Sequence, residues 1–227
     1  MPEIKHRLQQ VCQHIENYLQ EFGREPGSVQ LIAVSKTQSV AVLQEAIKAG
    51  VTVFGENYLQ EALSKITALK SNRLEWHFIG PIQSNKTRDI ATQFDWVHCI
   101  DRLKIAQHLS RYRPANCPPL NVLLQVNTSG ESSKSGCLPD ELTELSAQIS
   151  TLPGLQLRGL MTLPAPADDF EQQRLPFRQL ADALQTLNEQ FPTMDTLSMG
   201  MSNDMRAAIA EGATMVRIGT AIFGQRK

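Results

Sequence analysis

Cysteine pairs, long apolar runs and a surplus of positive charge are all missing from this 227-residue sequence, and each absence excludes something. The four cysteines, Cys12, Cys99, Cys117 and Cys137, form no CxxC pair and no zinc spacing, so free thiols in a reducing cytoplasm are expected. No apolar stretch approaches the ~20 residues of a membrane span, and no charged-then-apolar leader opens the chain. With 22 Lys and Arg against 23 Asp and Glu, a net charge of -1 and a pI of about 6.5, there is no general field for a polyanion. No local basic patch replaces it, which excludes nucleic acid as an expected partner. His6, His14, His98 and His108 show no metal-ligand spacing, and no metal is expected. No Gly/Ser-rich linker, charge block or short repeat divides the chain, so residues 1–227 are expected to form one domain. A small molecule is the partner class that remains.

What the sequence does contain is alternation. Ile4, Leu8, Val11, Ile15, Tyr18, Leu19 and Phe22 recur at helical spacing and predict a first helix that stops at Gly23. Short apolar runs then alternate with amphipathic segments: VQLIAVS, VTVFG, LEWHFIG, DWVHCI, LNVLLQVN, LQLRGLM, DTLSMG and finally TMVRIGTAIFG. Eight strands, nearly all followed by a helix-length segment, predict an α/β fold of the (β/α)8 TIM-barrel type; an open doubly wound sheet would more often hold fewer strands.

In such a barrel the C-terminal strand ends carry the chemistry. Lys36 closes the first run, where an amine is partly desolvated yet reachable, as a Schiff-base lysine must be. Asn57 follows the second run, His77 lies in the third and Met161 ends the sixth. Ser198, Gly200, Arg217, Gly219 and Thr220 fall at the ends of the seventh and eighth. Glycine followed by Ser or Thr after late strands suits an anion cradle of backbone N–H and hydroxyl donors. An inward Arg217 requires a partner, either a ligand or an acid such as Glu211.

The motifs AVSKT, FGENYLQE, WHFIGPIQSNK, GLMTL, LSMGMSNDMRAAI and VRIGTAIFG, spread over nearly the whole length, resemble those of the pyridoxal phosphate homeostasis proteins (the YggS/PROSC family). The resemblance implies a barrel of the alanine-racemase-like type that carries pyridoxal 5'-phosphate (PLP) as an internal aldimine on Lys36. It implies Arg217 opposite the pyridine nitrogen, and Ser198, Gly200, Gly219 and Thr220 around the phosphate. Asn57 should line the cofactor, with His77 and Met161 nearby. A cation opposite the ring nitrogen disfavours its protonation and weakens the cofactor as an electron sink.

The resulting expectation is a cytoplasmic, monomeric carrier that buffers PLP or delivers it to PLP-requiring apo-enzymes, affecting amino-acid and keto-acid metabolism. The alternative is a small PLP-dependent amino-acid racemase. Related racemases add a second domain and a shuttle tyrosine, whereas this chain has three residues after Gly224 and only Tyr18, Tyr58 and Tyr112. Tyr58 is the one tyrosine near the expected mouth. Lys134, in the loop ESSKSG, is a candidate second amine. The chain departs from many members of the family it resembles in having Gln38 where a second lysine follows the first motif, which puts a transfer step through an amine there in doubt.

Overall fold

Strand-forming runs that are buried on both faces need helices on the outside, and the chain supplies them in strict alternation. In the computed structural model, which describes residues 2–129 and 135–225, eight strands follow one another: β1 (Gln30–Val34), β2 (Val53–Glu56), β3 (Glu75–Phe78), β4 (Trp96–Ile100), β5 (Leu120–Gln125), β6 (Leu155–Met161), β7 (Thr196–Ser198) and β8 (Met215–Ile218). Each pairs in parallel with its neighbours in sequence, and β8 returns to β1 through the register Ile32 to Arg217, closing the barrel.

The outer layer is α1 (Pro2–Glu21), α2 (Val40–Lys48), α3 (Leu59–Ala68), α4 (Thr87–Gln93), α5 (Leu103–Tyr112), α6 (Leu142–Ser150), α7 (Phe170–Asn188), α8 (Met205–Ala210) and α9 (Thr220–Phe223). The additional helix α1 buries Ile4, Leu8, Val11, Ile15 and Leu19, three or four residues apart, against α8 and α9. Its end is closed where Arg24 N donates to Leu19 O at 2.8 Å. No described helix is long and apolar enough to cross a membrane.

The eighth strand stops at Ile218, beside the expected strand-end residues Arg217, Gly219 and Thr220, and Thr220–Phe223 turns into α9. Ile222 is thereby buried, and Gly224 N closes the turn on Thr220 O at 2.8 Å. An apolar run of four cannot be assigned to helix or strand by periodicity alone.

Candidate functional site

Lys36 is half-buried and follows β1 directly. The chain there is fastened from two neighbouring elements. Ser35 Oγ donates to Glu56 Oε1 at 2.6 Å. From α3, Lys65 Nζ donates to Ser35 O and to Glu56 Oε1, each at 2.7 Å, and also pairs with Glu61. Glu61 Oε1 in turn accepts from Thr37 N at 2.6 Å. Thr37 sits at φ 67°, a left-handed conformation that a β-branched residue rarely adopts without such support. Burial pushes the Glu56 carboxyl up from its ordinary range, against the opposing bonds from Lys65 and Ser35.

The strand ends enclose a cavity of about 1040 Å³. Lys36, Asn57, Arg217, Gly219 and Thr220 all line it, as do segments from the loops after β6 and β7, including Leu163, Pro164, Met201 and Asp204. Asn57 Oδ1 is buried without a hydrogen-bond partner, which marks a place for a polar ligand atom. Asn57 is held in position by close packing: a Cβ on Gly80 would come 2.2 Å from Asn57 O.

Arg217 is buried, and its guanidinium donates from Nη1 to Ser198 Oγ at 2.7 Å and from Nη2 to Thr162 O at 2.9 Å. Burial pushes its pKa down to about 10, which still leaves a cation at neutral pH. Two bonds occupy two of five N–H groups, so donors remain for a ligand. Glu211 is not its partner; that carboxylate pairs with Arg174 and Arg178 on α7.

Four predicted residues stand outside the cavity wall. Ser198 is fully buried, with its hydroxyl committed to Arg217 and, at 2.8 Å, to His98 Nδ1, so it supports the guanidinium from within the barrel. His77 is fully buried too, stacked on Trp96, and bonded to His98 at 2.8 Å and to Glu75 at 2.7 Å. Met161 belongs to the apolar core beside Ser198 in register. Gly200, at φ 94°, shapes the loop after β7, where a Cβ would come 2.6 Å from Ala208 Cβ. In that loop Met201 N already donates to Asp204 Oδ1 at 2.6 Å. Gly219 and Thr220 line the cavity where α9 begins, and the first N–H groups of a helix have no partner within the helix.

Glu75, His98, Thr162 and the Glu56–Glu61–Lys65 cluster were not among the predicted site residues. For Glu75 and His98 a signal existed: Glu75 and His77, like Trp96 and His98, are two apart in a strand and share a face. Lys134 lies outside the described residues. The described part of the site offers an amine, a guanidinium and backbone donors around one cavity, a set matched to a small electrophilic anion.

The alanine racemase N-terminal domain family model matches residues 4–227, so the fold and strand-end lysine define a barrel of that class. The pyridoxal phosphate homeostasis protein of Vibrio alginolyticus is 56% identical across 100% of this chain and 99% of its own length. Its counterpart in Pseudomonas aeruginosa is 55% identical across 100% and 97%. Among solved structures, PipY of Synechococcus elongatus with PLP bound superposes with a TM-score of 0.81 at 37% identity, covering 92% of this chain and 100% of that one. The chain belongs to the pyridoxal phosphate homeostasis protein family.

Proposed function

We propose that this protein binds PLP at the barrel mouth, linked to Lys36, and holds it for PLP-requiring apo-enzymes in the cytoplasm instead of turning over a substrate. The observation that carries the reading is the placement of Lys36, Arg217 and the unpartnered Asn57 Oδ1 on one cavity.

When bound, the cofactor would supply an aldehyde carbon open to an amine and a ring that withdraws electrons. Lys36 supplies that amine from a turn fixed by Glu61 and Lys65. Arg217 would offer an N–H to an unprotonated ring nitrogen, and its charge would oppose protonation there. Gly219 and Thr220 would offer backbone and hydroxyl donors to the phosphate.

The cavity wall also weighs against the racemase alternative. Racemisation needs a second proton shuttle facing the lysine, and among the described residues no tyrosine, histidine or cysteine lines the cavity; its only acids are Asp168 and Asp204. Tyr58 is 56% exposed and outside the wall. A monomer leaves the mouth open for exchange.

The test is transfer. Loaded protein is mixed with an apo-aminotransferase in the presence of a scavenger of free PLP. Restored aminotransferase activity is expected. Failure to restore activity, or steady D/L interconversion of an amino acid that disappears in Lys36→Ala, would contradict the carrier reading.

A further inference from the structure

A polar chain runs through the barrel interior from the cavity to the opposite end. Glu75 is the first residue of β3, at the N-terminal end of the barrel, and its side chain is 38% exposed. Arg217 lines the cavity at the other end. Between them stand His77, His98 and Ser198, joined by contacts of 2.7 to 2.8 Å.

The protons in this chain have one consistent arrangement. A guanidinium only donates and a carboxylate only accepts. His77 must therefore donate from Nε2 to Glu75, which makes Nδ1 of the neutral ring an acceptor. His98 then donates from Nε2, and its own Nδ1 accepts from Ser198 Oγ–H, while Ser198 Oγ accepts from Arg217. Every bond points from Arg217 toward Glu75. Burial keeps both histidines below their ordinary range; Glu75 and Asp95 oppose this at His77, whereas His77 and Arg217 reinforce it at His98. Neutral rings are what the one-way arrangement requires.

We propose that Glu75 is a positioning residue for Arg217, acting from the far end of the barrel by fixing the tautomers of His77 and His98 and hence the donor direction of Ser198. Without that carboxylate, both rings can carry the proton on Nδ1. Ser198 Oγ then accepts from His98 as well as from Arg217, so the guanidinium shares that oxygen with a second donor and the Ser198 hydrogen is left without an acceptor in a buried setting. The consequence for cofactor binding rests on the reading of Arg217 as the partner of the ring nitrogen; the tautomers do not.

The experiment is long-range 15N–1H NMR of the histidine rings in the cofactor-free protein, paired with PLP titration followed by absorbance. In the unmodified chain, His77 and His98 are both expected as Nε2–H tautomers. Glu75→Leu should move them toward Nδ1–H, weaken PLP binding about tenfold and shift the absorption maximum of the bound cofactor. Glu75→Gln, which keeps an acceptor oxygen, should restore the original tautomers and most of the affinity. An Nδ1–H tautomer at His98 in the unmodified chain overturns the proposal without any variant. Unmoved tautomers in Glu75→Leu, or moved tautomers with unchanged affinity and spectrum, overturn it as well. Altered tautomers in a chain that never binds PLP would instead defeat the functional reading.

Discussion

His98 on β4 reaches Ser198 on β7, with Nδ1 and Oγ 2.8 Å apart, although β5 and β6 lie between those strands in the barrel wall. The bond therefore crosses the interior. It ties the support of Arg217 to the opposite side of the barrel.

Removing the hydroxyl isolates both of its partners. In Ser198→Ala, His98 Nδ1 and Arg217 Nη1 lose their shared partner in a buried setting, at a cost of about 1–3 kcal/mol. Chemical denaturation should show this loss, accompanied by weaker PLP binding. Wild-type stability and affinity would contradict the assignment.

Acid should destabilise the cofactor-free protein through its two buried histidines, His77 and His98. Both have folded-state pKa values below the ordinary value of 6.5 because burial penalises the charged ring. A base with a depressed folded value binds fewer protons folded than unfolded. Its contribution to stability is thus complete above about pH 6.5 and is lost as pH falls below it. Two such groups give a limiting slope of about 2.7 kcal/mol per pH unit. Denaturation midpoints of the cofactor-free protein should fall from pH 6.5 toward pH 5, and His77→Gln combined with His98→Gln should flatten the decline. A midpoint independent of pH in that window is the opposing result.

The eight strands and the outer helices were legible because each run kept one period between clear breaks. Lys36, Asn57, Arg217, Gly219 and Thr220 were legible for a related reason: strand ends in a closed barrel converge, and all five line the cavity. Ser198, expected at the phosphate, and His77, expected near the cofactor, make contacts that their local spacing does not reveal. Their partners lie across or along the barrel, at His98, Arg217 and Glu75, and no local spacing encodes a contact between residues 98 and 198. The α9 turn was obscured for a different reason, since TAIFG is as apolar as a strand.

Lys65 presents the sharpest stability test. It is 3% exposed and pairs with Glu56, which is fully buried, and with Glu61. Lys65→Met leaves the Glu56 carboxylate without its cation and should cost about 3 kcal/mol. It also frees Glu61 and hence the Thr37 turn beside Lys36. Adding Glu56→Leu should recover much of the stability, because replacing both partners removes the buried charge. Slower reaction of Lys36 with PLP should persist in the double variant, measured by stopped-flow absorbance. Restored reaction rates would show that the clamp does not position Lys36.

The assignment of PLP to Lys36 underlies the other proposed contacts. It is tested most directly by loading the protein with PLP, reducing it with borohydride and mapping the modified peptide by mass spectrometry. A single stoichiometric adduct on Lys36 is expected, with loss of the bound-cofactor absorption band in Lys36→Ala. An adduct mainly on another lysine, or no adduct at saturating PLP, would contradict it.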